Sequence, residues 1–476
     1  MSRPLKPYAA YTDSGLPWLG QIPGHWTLRR AKQVFAPIDV RSDTGKEELL
    51  TVSSQRGVVP RKDSTVTMFQ AASYVGHKLC WPGDLVINSL WAWAGGLGVS
   101  RHHGIVSAAY GVYRPRFEFS ASSSYFDYLV RSVPFHWELQ TRSKGVWLSR
   151  LQLTDTSFLD APIPIPPEDE RQQIARYLTS ITKKANGIIR NKRRLIALLT
   201  EQKQAVIHRA VTRGLDPDVP LKPSGVEWLG EVPAHWDVRR FKFVATINQG
   251  QVDPQDDQYR EHILIAPNHI EGVTGTLLKQ ESAREQEADS GKCLVRKGQV
   301  IYSKIRPNLR KATIAPIDCL CSADMYAISP QPSLICPRYM LLLLLSVPFT
   351  KYAIDASMRV AMPKINREAL GDCWLWFPPV QEQDQILDQL TVTLTPIEMA
   401  LNRAKREIDL IREYRTRLIA DVVTGKVDVR HLAADLPPIE ADDPLPFDDL
   451  ADLLDDADDP DNLGSAPAEE DGDAAD

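Results

Sequence analysis

The chain has 476 residues, with 61 Asp or Glu against 56 Lys or Arg, for a formal net charge of −5. Apolar residues make up 43% and aromatics 8%, which excludes a wholly disordered chain, and the length suits two or three domains. Taken as a single sum, the charge argues against a nucleic-acid partner.

The chain begins Met-Ser-Arg-Pro-Leu-Lys-Pro, with no apolar run behind it, so no secretory signal is expected. The six cysteines (Cys80, Cys293, Cys319, Cys321, Cys336, Cys373) are scattered. The close pair Cys319 and Cys321 has no CxxC or Cys/His cluster beside it, so reduced thiols in a cytoplasmic protein are expected rather than zinc. The stretch Asp84-Leu-Val-Ile-Asn88 after the Pro82-Gly83 turn predicts a short strand, and Gly95-Gly-Leu-Gly98 a loop. Pro166-Pro167 ends an extended segment. The acidic Glu168 and Asp169 that follow suit a helix N-terminus. A second set of elements follows: a strand at Gln299-Val-Ile-Tyr-Ser303, a buried helix at Tyr339–Leu345, too short to span a membrane, and another Pro-Pro helix entry at Pro378-Pro379.

These sets are copies. Ser14-Gly-Leu-Pro-Trp-Leu-Gly-Gln-Ile-Pro-Gly-His-Trp-Thr-Leu-Arg-Arg-Ala-Lys32 recurs as Ser224-Gly-Val-Glu-Trp-Leu-Gly-Glu-Val-Pro-Ala-His-Trp-Asp-Val-Arg-Arg-Phe-Lys242. Ser132-Val-Pro-Phe135 recurs as Ser346-Val-Pro-Phe349, and Pro166-Pro-Glu-Asp-Glu170 pairs with Pro378-Pro-Val-Gln-Glu382. An internal repeat of about 210 residues follows, each copy a mixed part and then a long helix. In the second helix Leu390, Ile397, Ala404, Ile411 and Leu418 lie seven apart, interleaved with Leu394, Leu401, Ile408, Arg415 and Val422. The first helix matches with Leu178, Ala185, Lys192, Leu199, Val206 and Thr182, Ile189, Ile196, Lys203, Ala210, widened by Ile181, Ile188 and Leu195. Each helix is expected to run about 45 residues, roughly 65 Å, and to stop at Gly214 or Gly425. Two such stripes on equivalent helices are expected to bury each other as an antiparallel coiled coil.

The charge divides at the end of the second helix. From His431 onward there are 17 acids and no Lys or Arg, which leaves 44 acids against 56 bases before it, a body at +12. The acidic, Asp- and Pro-rich tail is expected to be disordered, either as a solubilising extension or as a competitor with DNA for basic clefts.

Catalytic motifs are missing. There is no P-loop and no Asn-Pro-Pro-aromatic tetrapeptide; Glu201-Gln-Lys203 falls inside the helical repeat, and adjacent histidines such as His102 and His103 rarely face one ion. Basic clusters are more informative. Arg306 and Arg310 are candidates for guanine, Asn308 for adenine, and Lys304 and Lys311 for phosphates. The first copy has Ser89-Leu-Trp-Ala-Trp93 at the equivalent place, then Arg101, His102 and His103. A second pair of basic loops precedes the helices: Arg142, Lys144 and Arg150 in one copy, Arg359 and Lys364 in the other. In a body at +12 these clusters favour a polyanion.

The Trp-Leu-Gly-x-x-Pro-x-His-Trp entries at 18–26 and 228–236, the Gly-x-x-x-x-Ser-Lys-Ile-Arg-Pro-x-Leu stretch at 298–309 and the Pro-Pro-x-x-Glu helix entries resemble the specificity subunit of type I restriction–modification systems. The resemblance covers about residues 11–430. It implies an α+β chain with target-recognition domains at 1–160 and 216–375, helical conserved regions at 161–215 and 376–430 forming an antiparallel coiled coil, and a tail at 431–476. It implies a non-catalytic subunit in which each recognition domain reads one half of a bipartite double-stranded DNA site. The partners implied are two modification subunits, which bring S-adenosylmethionine and adenine methylation, and two restriction subunits, which bring ATP, Mg2+ and cleavage. This chain binds no cofactor of its own in that scheme. The rival reading is a coiled-coil scaffold that bridges proteins without touching DNA. It predicts partner binding insensitive to salt, where DNA binding falls steeply with it.

Overall fold

The structure, a computed structural model, describes residues 5–54, 56–63, 73–145, 151–248, 250–357 and 363–439. The chain divides into two compact units, one formed by residues up to 194 and from 404, the other by residues 195–403. Each unit holds one globular part and half of each long helix. Among the described residues no helix is long and apolar enough to cross a membrane.

In the first unit a four-stranded antiparallel sheet runs in the order Phe35–Pro37, Gly111–Pro115, Leu85–Ile87, Leu97–Val99. Alternation is absent from its central strand, since Leu85, Val86 and Ile87 are all buried, as expected where both faces are covered. The helices Ser123–Val130 and Val133–Arg142 pack with it into a core that includes Phe35, Phe126, Phe135 and Phe158. The second unit has the same strand order: Ala245–Ile247, Met325–Pro330, Val300–Ser303, Ala312–Ile314. The helices Pro337–Leu344 and Val347–Asp355 join its core, so the apolar run at 339–345 is a buried helix. The glycine-dense stretch at 95–98 is half loop and half strand: Gly95 turns with φ +83°, and Leu97–Val99 is an edge strand of the sheet.

The two long helices span Glu168–Arg213 and Val380–Val423. Leu178, Thr182, Ala185 and Ile189 on the first, and Ile408, Arg415, Leu418 and Val422 on the second, are buried where the seam places them. The polar seam positions are paired across the helices. In the first unit Arg415 Nη1 donates to Asn186 Oδ1 at 2.8 Å, and Lys192 Nζ lies 2.5 Å from Glu407. In the second unit Lys203 Nζ lies 2.7 Å from Glu398. In the first unit residue numbers rise on one helix as they fall on the other, so the helices run antiparallel there. One expectation needs correction: Ile188 and Leu195 do not widen the stripe but are 47% and 41% exposed.

Both helices end as expected, with Gly214 and Gly425 at φ +71° and +79°. At Gly425 a side chain is excluded sterically as well, because a Cβ would fall 2.3 Å from Pro23 Cδ. A second correction concerns the tail. Residues 431–439 belong to the folded first unit: Arg430–Ala433 is a short helix, Ala433 is fully buried, and Leu432, Leu436 and Ile439 pack against the core. The first nine tail residues include five apolar side chains and one acid, so they bury where the denser acidic sequence after them has little to bury. The rest of the tail, from residue 440, lies outside the described residues.

Candidate nucleic-acid interface

The repeated motif residues are structural. In the first unit the strand Thr27–Arg30 pairs with Pro162–Ile165, which delivers the chain to the first long helix. Glu170, in that helix's first turn, is 4% exposed. It accepts from Tyr8 Oη at 2.6 Å and from Trp26 Nε1 at 3.0 Å, and it lies 2.7 Å from His25 Nε2. Arg430 approaches it at 4.0 Å. Burial and the bond to Glu170 push the Tyr8 phenol far above its ordinary pKa, so it stays a donor. In the second unit Asp237–Arg240 pairs with Trp374–Phe377, and Glu382 receives Trp236 Nε1 at 3.1 Å and lies 2.7 Å from His235. Trp376 Nε1 donates to the Val211 carbonyl at 2.6 Å, tying the end of the first long helix to that strand. These clasps explain the His-Trp and Pro-Pro-x-x-Glu spacing: one carboxylate takes both ring donors and sets how the helix leaves the globular part.

A second construction, close to the sheet, gathers the candidate contact residues. In each unit the loop after the strand 85–87 or 300–303 is joined to the segment ahead of the long helix. In the first unit Leu153 N–H donates to the Ser89 carbonyl at 2.9 Å, and Lys144 bridges Gln152. In the second Ile365 N–H donates to the Lys304 carbonyl at 2.9 Å, Arg306 N–H donates to the Pro363 carbonyl at 2.8 Å, and Ile305 bridges Lys364. In each unit two segments distant in sequence are thus joined beside the sheet.

The side chains divide into those turned outward and those committed inward. Asn308, Lys364 and Lys144 are exposed. Lys304 points inward: its ammonium donates to the Ala323 carbonyl and sits 5.3 Å from the Tyr326 ring centre. Burial, then Lys364, lowers its pKa. Arg310 is occupied too. Its Nε and Nη2 donate to the Leu345 carbonyl at the end of the helix Pro337–Leu344, and Nη2 reaches Gln204 at 3.2 Å. Lys311 is 7% exposed. In the chain alone, Arg310 and Lys311 thus serve as structural cations and Lys304 is held in the fold, so the side chains turned outward at this junction are Asn308 and Lys364. The turn they frame is strained: Arg306 and Arg310 adopt φ +46° and +52° around the single turn Pro307–Leu309, at roughly 1–3 kcal/mol each. The bonds to Pro363 and Leu345 hold it there.

In the first unit Arg142 Nε donates to Glu138 at 2.6 Å, one helical turn back. Arg101, His102 and His103 occupy a different turn, between the strands Leu97–Val99 and Gly104–Val106. Arg101 lines a cavity of about 280 Å³ together with Asp127 and Tyr128, and His103 lies 5.4 Å from the Trp81 ring. Arg150 and Arg359 fall outside the described residues. One further cation was not legible in the sequence clusters. Arg367 donates to the Asn248 carbonyl at 2.7 Å and lies 5.5 Å over the Tyr326 ring, sharing that ring with Lys304. As a lone Arg at the start of a short helix it gave no pattern. Leu90 and Trp91 are 51% and 57% exposed, with Trp91 stacked on Trp93 at 5.9 Å. The aromatic loop thus stands in the first unit where the basic loop stands in the second, as its place in the repeat implied.

Twice over, a mixed sheet domain is clasped to a long helix and displays a loop surface joined across the chain, the architecture of a non-enzymatic binding module repeated in two units. Residues 233–407 match the type I restriction modification DNA specificity domain. The chain is 30% identical over 339 residues to the type I restriction enzyme EcoDI specificity subunit of Escherichia coli, covering 63% of this chain and 74% of that one. It is 20% identical over 308 residues to the MjaVIII specificity subunit of Methanocaldococcus jannaschii, covering 62% and 68%. A solved chain from work on complex assembly and conformational transition of the type I restriction–modification system shares the fold, with a TM-score of 0.60 at 16% identity over 84% of this chain and 98% of that one. The chain belongs to the specificity subunits of type I restriction–modification systems, which recognise DNA and are not themselves catalytic.

Proposed function

We propose that the chain directs a type I restriction–modification complex to a bipartite, asymmetric DNA sequence, each unit reading one half. The observation that carries this is the loop junction, built alike in the two units with different chemistry on it. In the first, Leu90 and Trp91 beside Lys144 suit apolar contact with thymine methyl groups; in the second, Arg306 and Asn308 suit guanine and adenine edges, with Lys364 on a phosphate. The long helices act as an antiparallel coiled coil that sets the unread spacer. The interhelical pairs of Asn186 with Arg415, Lys192 with Glu407 and Lys203 with Glu398 support that role.

The helices also dock two modification subunits. Exposed apolar residues on them, Leu198 on the first and Val392, Met399, Leu410 and Tyr414 on the second, support this docking. The modification subunits bring S-adenosylmethionine and methylate adenine N6 on a flipped base; two restriction subunits bring ATP, Mg2+ and cleavage. The test is genome-wide mapping of N6-methyladenine in cells with a methylating partner, with and without this chain, and with residues 237–360 exchanged for those of a relative. Deletion should erase one bipartite motif, and the exchange should change one half of it. Survival of the motif, or a change in both halves, refutes the reading.

A further inference from the structure

In the second unit Cys293 and Cys321 stand directly opposite each other on the antiparallel strands Cys293–Val295 and Cys319–Cys321. Cβ atoms of directly opposed strand residues lie about 4.5–5.5 Å apart, close to the separation a disulfide spans. Cys321 is fully buried, whereas Cys293 is half-buried. The cations Lys304 and Arg367, gathered on the Tyr326 ring, lie on the Cys293 side.

We propose that Cys293 and Cys321 form a redox-active dithiol that a hydroperoxide converts to a cross-strand disulfide. The facing Cys321 thiol, then Lys304 and Arg367, lowers the Cys293 pKa, while the facing Cys293 and burial raise that of Cys321. Cys293 is therefore the more acidic thiol of the pair and the accessible nucleophile. Its sulfur attacks one peroxide oxygen. The S–O bond forms, the O–O bond breaks, and the departing hydroxide takes a proton, leaving Cys293 as a sulfenic acid. Cys321 sulfur then attacks Cys293 sulfur. The S–S bond forms, the S–O bond breaks, and the leaving hydroxide departs as water with the Cys321 proton. Both sulfurs are oxidised by one electron each, and the peroxide is reduced by two. In a reducing compartment the disulfide is transient, reversed by thiol exchange.

The experiment treats the full chain at pH 7 with one equivalent of hydrogen peroxide, alkylates the remaining thiols and resolves the peptides by mass spectrometry. Cys336 is the internal control. It is half-buried like Cys293, but burial raises its pKa. The expected result is a peptide linking Cys293 to Cys321, loss of two of the six thiols, and Cys336 alkylated as fully as in the untreated chain. In Cys321→Ser, dimedone should trap a sulfenic acid at Cys293 at least tenfold more than at Cys336. A wild-type chain that retains all six thiols, or oxidises Cys336 as fast as Cys293, overturns the proposal. The wild-type arm needs no variant to fold.

Discussion

Replacing Glu170 with Ala removes the acceptor that Tyr8, His25 and Trp26 share. The cost depends on which donors are left without water. Tyr8 and Trp26 are each 5% exposed, so both lose a partner inside the protein, at about 1–3 kcal/mol each. The His25 side chain is 40% exposed and can turn to solvent. The expected loss for the first unit is therefore about 2–6 kcal/mol. Glu382→Ala is milder. Trp236 is fully buried, but His235 is 47% exposed, and Glu382 itself is 25% exposed, so water can partly replace the carboxylate. One stranded donor predicts about 1–3 kcal/mol. Two units make a single unfolding midpoint ambiguous, so the assay is hydrogen exchange along a urea series, read on peptides from residues 161–180 and 374–390. Glu170→Ala should lower protection in the first set more than Glu382→Ala lowers it in the second. A larger loss for Glu382→Ala would show that burial of the donors is not what sets the cost.

Three further outcomes are expected. Arg310→Ala should destabilise the second unit by about 1–3 kcal/mol, because it strands the Leu345 carbonyl, whereas Lys364→Ala should leave stability unchanged and reduce the log–log salt slope of DNA binding by about 0.9, measured by fluorescence anisotropy. His136 Nε2 is buried with no hydrogen-bond partner among the described residues, and burial, then Arg131, depresses its pKa from 6.5 to about 4. The unfolded chain binds the extra proton, so first-unit stability should be fully present above pH 6.5 and fall as pH drops towards 4, by up to roughly 3 kcal/mol. His136→Phe should flatten the urea-midpoint profile across that window. Cutting the chain after Ile439 should leave stability intact, whereas cutting after Arg430 removes Ala433 and the packed Leu432, Leu436 and Ile439 and should cost about 2–4 kcal/mol by urea unfolding. If the remaining tail competes for basic clefts, the cut after Ile439 should also raise non-specific DNA affinity at low salt.

Local pattern determined much of this protein. The repeated entry motif, the seven-residue spacing of the long helices, the glycine stops and the strands at 84–88 and 299–303 were legible because each depends on residues near one another in sequence. Helix and strand periodicity report a buried face directly. The seam even exposed its own exceptions, since Lys192, Lys203 and Arg415 stood at apolar positions, and the structure pairs each of them across to the other helix. Tertiary structure decided what each polar side chain is for. A cation in the sequence does not state its partner: Arg310 and Lys311 read as DNA contacts until strand register placed one on Leu345 and buried the other. The same long-range register joined Ser89 to Leu153 and Lys304 to Ile365, gave Glu170 its three donors, and set Cys293 opposite Cys321. Those pairings span from about 28 to more than 160 residues, and no window of sequence contains the energy that selects them.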